Sequence, residues 1–244
     1  MHEALTNLRT SIKSVREITA DVDAHVSAAL RHSEVMARHQ TVLCAATVIL
    51  SGFLESFIKE VAKEMIGEVC SRAITFNDLP AKIRMTHYEE GGRWIQKMAQ
   101  SEKQENPLTH RKTADAARRL ASVQGGGSSY EILWEAFIDT QANPGPSQIS
   151  NFLKRFDVDD PLPKLAQSVN ATQNTLSMRL SSFIEVRNEC AHTGSCRNIP
   201  TTTDVQGYCD LLEQVGEGVV KVFQARLQMP PYTAPTESLS RVGP

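Results

Sequence analysis

The sequence predicts an all-α protein, a bundle of four long helices carrying a helical insertion. Two observations predict it. Apolar side chains recur in steps of three and four residues over four long stretches, the spacing that lines one face of an α-helix. Between the second and third of these stretches the pattern breaks into shorter periodic pieces set apart by clusters of glycine and proline, residues that punctuate a chain rather than continue it.

The first stretch runs over residues 3 to 39, where Leu5, Leu8, Ile12, Val15, Ile18, Val22, Val26 and Leu30 form a single stripe. The second begins near Thr41 and continues to about Cys70. Its stripe, Leu43, Thr47, Leu50, Leu54, Phe57, Ile58, Val61 and Met65, is broad enough to be mostly buried. Residues 75 to 160 read as the insertion, with helical pieces around 93 to 122, 130 to 140 and 147 to 157. They are separated by Gly125-Gly126-Gly127-Ser128-Ser129 and Asn143-Pro144-Gly145-Pro146. From Leu162 the long period returns through Leu165, Val169, Leu176, Leu180, Phe183 and Ile184, and it stops at His192-Thr193-Gly194, where glycine can take the left-handed conformation of a helix end. The last helix spans roughly Thr203 to Leu227, capped by Thr203 or Asp204. The bundle is therefore residues 1–74 and 161–228, the insertion 75–160, and 229–244 a proline-bearing tail expected to be disordered.

A chain of 244 residues with 41% hydrophobic content can bury a core without staples. Its formal net charge of −2 provides no overall basic field, so any contact with RNA must come from a local patch or a groove between two copies. Cys44, Cys70, Cys190, Cys196 and Cys209 are odd in number and contain no CxxC pair. That pattern argues against a disulfide framework or a structural zinc site, and it fits a reducing cytosol. The amphipathic amino terminus is unlike a signal peptide, and no 18-residue uncharged apolar run is present to cross a bilayer. A soluble, cytoplasmic protein with no metal and no cofactor is the expectation.

The residues that carry chemistry are Arg187-Asn188-Glu189-Cys190-Ala191-His192, near the end of the third long helix. Arginine suits phosphate because its planar, permanently charged fork can hold two oxygens at once. His192 lies at a helix carboxyl end, where the macrodipole favours imidazolium, and a histidine titrating near neutrality can donate or accept a proton. Asn188 precedes His192 by four residues, shares its face and could orient the ring. RNA carries its own nucleophile in the 2′-hydroxyl, so such a site needs no metal ion.

The spacing alone is a weak signal: 16 arginines and seven histidines in 244 residues give roughly 1.4 matches by chance over three allowed spacings. An arginine in a salt bridge and a histidine capping carbonyls would satisfy the same pattern. What distinguishes this occurrence is its context of Asn188, Ala191 and Gly194 at a helix end. Other features have plainer readings. His25, His32 and His39 recur every seven residues, about 10.5 Å per step on one helix, too far apart for one ion. Cys190 suits a small packed thiol, and Gly125 to Ser129 a linker. Arg111, Lys112, Arg118 and Arg119 form the clearest basic cluster, either a solvated helix face or a guide for RNA.

Three segments give the chain a family resemblance: Leu50-Ser51-Gly52-Phe53-Leu54-Glu55-Ser56-Phe57-Ile58, Asn151-Phe152-Leu153-Lys154-Arg155-Phe156-Asp157, and Arg187 to Gly194. In these the sequence resembles the HEPN superfamily, in particular its RiboL-PSP-HEPN branch. The resemblance implies a HEPN-type bundle that forms a homodimer with two Arg-x4-His motifs facing one cleft. It implies a metal-independent endoribonuclease with RNA as substrate, often a toxin or defence effector with an antitoxin or defence-system partner. Arg187 would bind phosphate, His192 would act as acid or base, and Asn188 would support them. Glu55, at the edge of the second helix's stripe, would pair with Arg187, although Lys59 and solvent are alternative partners. The superfamily also includes inactive members, so a non-catalytic nucleotide-binding or protein-interaction module is the competing reading.

Overall fold

The computed structural model describes residues 1–28, 33–101, 107–123, 129–138, 144–193 and 199–228. Among these residues it is all-α, with eight α-helices and two short 3-10 turns. The organising element is α2, Ser33–Ser71. Its Leu43, Leu50, Leu54, Phe57, Val61 and Met65 are all buried. By length and composition α2 could cross a bilayer, yet half of its most apolar stretch is buried inside the protein (50%), as expected of a core helix.

Three long helices pack around α2 in directions set by named contacts. α1, His2–Ala28, runs antiparallel to it: Asn7 Nδ2 donates to Glu60 Oε2 at 3.2 Å near one end, and His39 Nε2 lies 3.9 Å from Asp23 Oδ1 near the other. α8, Thr202–Gln228, runs parallel to α2, since Gly216 faces Phe57 and Arg72 Nη1 reaches the Leu227 carbonyl at 2.5 Å. α7, Gln173–Thr193, opposes α8, with the Phe183 and Tyr208 rings 5.1 Å apart and Arg179 Nη1 donating to Gln214 at 3.1 Å. α1 can lie this close to α8 because Gly216 has no side chain: a Cβ there would stand 2.6 Å from Leu8 Cδ2.

Two helix boundaries differ from the sequence reading. α1 stops at Ala28, and residues 33–39 already belong to α2. Val22, Val26 and Leu30 keep helical spacing up to residue 30, and no glycine or proline interrupts residues 21–40, so periodicity alone could not register the reversal of direction. His25 therefore sits on α1 and His39 on α2, not on one helix as a ladder, and His32 lies outside the described residues. The third predicted helix is likewise two, α6 over Pro161–Ser168 and then α7. Asn170 takes a left-handed φ of 54° between them, a conformation asparagine tolerates better than most residues. Thr172 Oγ1 then accepts the Thr175 N–H at 3.2 Å, which caps α7. α8 is capped by Thr201 rather than by Thr203 or Asp204. The Thr201 hydroxyl accepts the Asp204 N–H at 3.1 Å, and the Asp204 carboxylate accepts the Thr201 N–H at 2.8 Å, a reciprocal capping box.

The segment between α2 and α6 comprises α3, Ala81–Ser101, α4, Pro107–Ser122, and α5, Pro146–Arg155, with 3-10 turns at Phe76–Asp78 and Trp134–Phe137. Prolines open two of these helices, α4 and α5, where a missing N–H costs nothing. The segment shares the bundle's core: Phe137 stacks 4.8 Å from Phe156, which meets Phe223 of α8 at 5.1 Å, and Phe152 meets Phe223 at 5.5 Å. His87 of α3 is wholly buried here, its Nδ1 accepting the Leu133 N–H at 3.1 Å while its Nε2 has no hydrogen-bond partner. Burial lowers its pKa from 6.5 to about 4, so the ring is neutral. The Gly125 to Ser129 linker lies largely outside the described residues, and 229–244 wholly so.

Candidate functional site

α7 brings Arg187 and His192 to one end of the bundle, where α1 ends and α2 and α8 begin. The side of α7 that faces inward is apolar. Cys190 is buried against Cys44 of α2, and Val48, Val186 and Ile199 pack around the two thiols. This group is separate from the main core. Since residues two apart on a helix point in different directions, burying Cys190 turns His192 outward, and His192 is exposed in the last turn of α7.

Arg187 lies five residues earlier, about 1.4 turns, and is half-buried. Its Nη1 donates to Asn188 Oδ1 at 3.2 Å, while its Nε is buried without a hydrogen bond. Asn188 thus braces the guanidinium. Among the described residues no acidic side chain forms a salt bridge with Arg187. A permanently charged fork and an exposed imidazole at one helix carboxyl end, five residues and about 140° apart around the helix, supply groups that can bind an anionic oxygen and exchange a proton. Gly194 lies outside the described residues; α7 ends at Thr193.

Glu55 does not form an ion pair with Arg187. It borders a small pocket with Lys59, Ile138, Pro144 and Gln148. The reason is register. α2 and α7 are antiparallel and meet at Cys44 and Cys190. Glu55 lies eleven residues beyond Cys44, and Arg187 three before Cys190, which leaves the two about 12 Å apart along the axis.

The predicted basic cluster is also placed elsewhere. Arg118 is held by Asp115 and Glu131, with Nη2 distances of 2.9 and 3.0 Å, and Arg119 by Asp115 and Glu135 at 2.5 and 3.2 Å. Arg111 and Lys112 are exposed on the same helix, α4. Glu135 belongs to the Trp134–Phe137 turn, over which Lys63 of α2 sits 4.5 Å from the Trp134 ring. Lys63 is nineteen residues past Cys44, about 28 Å along α2. The cluster is therefore at the opposite end of the bundle from His192.

The sequence named Cys44 and His39 without placing either near the motif: the partner of Cys44 lies on another helix, and His39 stands beside Asp23 at the motif end with Thr202 Oγ1 donating to the same carboxylate at 3.2 Å. Only the reversal between α1 and α2 brings those residues together. Two concavities among the described residues are remote from the motif. One of about 370 Å³ is lined by Met65, Val69, Phe156 and Leu227, and one of about 360 Å³ by Lys164, Ser168 and Lys221. Among the described residues no group of three or more His, Cys, Asp or Glu side chains is placed to hold a metal ion.

The chain matches a family model described as RiboL-PSP-HEPN over residues 10–225. No curated protein and no solved structure matches it. The matched span runs from α1 to the last turn of α8 and contains the Arg187 to His192 segment, and membership is consistent with a nuclease or a nucleotide-binding module. With most of its length and its all-helical architecture accounted for in this way, the chain belongs to the RiboL-PSP-HEPN family of the HEPN superfamily.

Proposed function

We propose that this protein is a metal-independent endoribonuclease of the cytoplasm, acting as a homodimer in a toxin or defence role. The observation that carries the reading is that one helix end holds both the half-buried Arg187, whose Nη1 donates to Asn188 Oδ1 at 3.2 Å and which has no salt bridge among the described residues, and the exposed His192. In the reaction the RNA 2′-oxygen attacks the adjacent phosphorus and the bond to the 5′-oxygen breaks. The products are a 2′,3′-cyclic phosphate and a 5′-hydroxyl. One proton must leave the 2′-hydroxyl and one must reach the departing 5′-oxygen, the two tasks of a base and an acid. Arg187 would hold the non-bridging oxygens as negative charge builds on them. His192 would move one proton, and His192 of a second copy facing the same cleft would move the other. An antitoxin or defence-system protein would be the regulatory partner.

The test is cleavage of single-stranded RNA by purified protein in EDTA, compared with His192→Ala and Arg187→Ala. The expected result is cyclic-phosphate ends from the wild type and losses of at least about 100-fold in both variants, the scale of one general acid–base or oxyanion contact. Equal activity in all three proteins, or activity abolished by chelation, overturns the mechanism. The competing reading, a non-catalytic module, draws on the two remote cavities of about 370 and 360 Å³. Absence of cleavage together with retention of a nucleotide on purification would favour it.

A further inference from the structure

On the α3 and α5 side of α2, two small depressions meet at Ile138. One, about 70 Å³, is bordered by Glu90, Arg93, Trp94 and Lys97 of α3, Glu135 of the second 3-10 turn and Arg155 of α5. The other, about 20 Å³, is bordered by Lys59 of α2 and Gln148 of α5. Both tryptophans of the chain, Trp94 and Trp134, are half-buried on this side, and Lys63 covers the Trp134 ring.

Both acids here are engaged by arginines. The acids are inside and committed: Glu90 is 25% exposed and takes Arg93 at 2.5 Å and Arg155 at 3.4 Å, while Glu135 is 16% exposed and takes Arg119 at 3.2 Å. Arg93, Lys97 and Lys59 lie towards the rim, and Arg155 lies deeper. Arg93 is 67% exposed, and Lys97 and Lys59 have no ion-pair partner among the described residues. Arg155 is 19% exposed, yet its Nη1 is buried without a hydrogen bond. An unsatisfied guanidinium nitrogen costs free energy unless an acceptor reaches it, and an anion is the acceptor that this rim would attract.

From this arrangement we propose that the depression between α3 and α5 is a phosphate subsite for single-stranded nucleic acid. A backbone phosphate would lie on Arg93, Lys97 and Arg155, and the adjoining base would pack on the Trp94 ring. Stacking on an aromatic face beside a cationic track is how single strands are held without sequence readout. The subsite lies roughly 20 Å along α2 from Cys44, the level of the motif, by way of Lys59. In the terms of the proposed function, which this inference builds on, it would anchor the strand away from the bond being cut.

Binding is measured separately from cleavage, on full-length His192→Ala protein, by the anisotropy of a labelled 12-nucleotide single-stranded RNA. Charge reversal at two exposed rim positions, Arg93→Glu with Lys97→Glu, is expected to weaken binding at least tenfold and to flatten its salt dependence. Trp94→Leu keeps an apolar contact with the core but removes the ring, and a loss of about fivefold or more is expected. In a Trp134→Phe background Trp94 is the sole tryptophan, and RNA should quench its emission on excitation at the red edge where tyrosine does not absorb. Affinity within twofold of the parent in both rim and ring variants, with circular dichroism unchanged, overturns the proposal. So does quenching by inorganic phosphate or ATP alone with none by RNA, which would mark a site for a free anion. If the otherwise unmodified protein cuts RNA while these variants bind normally, the subsite fails and the nuclease stands. If nothing is cut but the variants lose binding, the subsite stands and the nuclease fails.

Discussion

The two ends of the bundle are built differently. At the end where α8 finishes, Phe152, Phe156 and Phe223 lie within 5.5 Å of one another and Phe137 joins them through Phe156 at 4.8 Å, and His87 is sealed in without a charge. At the end where α7 finishes, two thiols and three partly buried aliphatic residues form a separate small cluster. The polar groups there, Arg187, Asn188 and His192, face or approach solvent. The difference suggests a division of labour. Aromatic packing fixes the fold at one end, and the other end is free to carry groups that a tight core could not accommodate.

The largest effect that would sharpen this contrast is Phe156→Ala. Phe156 is 1% exposed, and its truncation should cost about 3–5 kcal/mol in chemical denaturation. His87 comes next. Above pH 6.5 both folded and unfolded rings are neutral and stability is complete. As pH falls towards 4 the unfolded chain binds a proton that the folded ring refuses, its pKa being about 4. Stability should therefore fall by roughly 3 kcal/mol across that window and level off below it. His87→Phe should remove this component of the pH slope in urea titrations at pH 4.5 and 7, and an unchanged slope would show that His87 is not its source.

Smaller effects belong to the motif end. Cys190→Ser inserts a hydroxyl into the thiol cluster and should cost about 1–2 kcal/mol, read from the denaturation midpoint. His192→Ala, at an exposed position, should move stability by no more than about 0.5 kcal/mol while removing the activity proposed above. A destabilisation as large as that of Phe156→Ala would contradict the division between the two ends.

How far the sequence revealed this depends on whether a feature is local or crosses between helices. The stripes Leu5-Leu8-Ile12-Val15 and Leu50-Leu54-Phe57-Val61 are local, and the structure buries all of these residues. The match over residues 10–225 supports the resemblance read from three short segments. What could not be read were quantities set by pairing. The break between α1 and α2 hides inside an unbroken apolar period. The distance of Glu55 from Arg187 depends on an antiparallel register that Cys44 and Cys190 set. Arg118 and Arg119 look basic in one dimension, and Asp115, Glu131 and Glu135 neutralise them in three. The Arg93, Trp94 and Lys97 grouping becomes visible only once α5 brings Arg155 beside it.

The separate cluster around Cys44 and Cys190 has a consequence for how the protein responds to heat. A helix end held by five small and medium side chains can open without disturbing the aromatic core, and such sub-global openings cost less than complete unfolding. Amide hydrogens in the last two turns of α7 should then exchange faster than those of mid-α2. Whatever work the Arg187 and His192 end performs should fade at temperatures where the circular dichroism of the whole molecule still reads as folded.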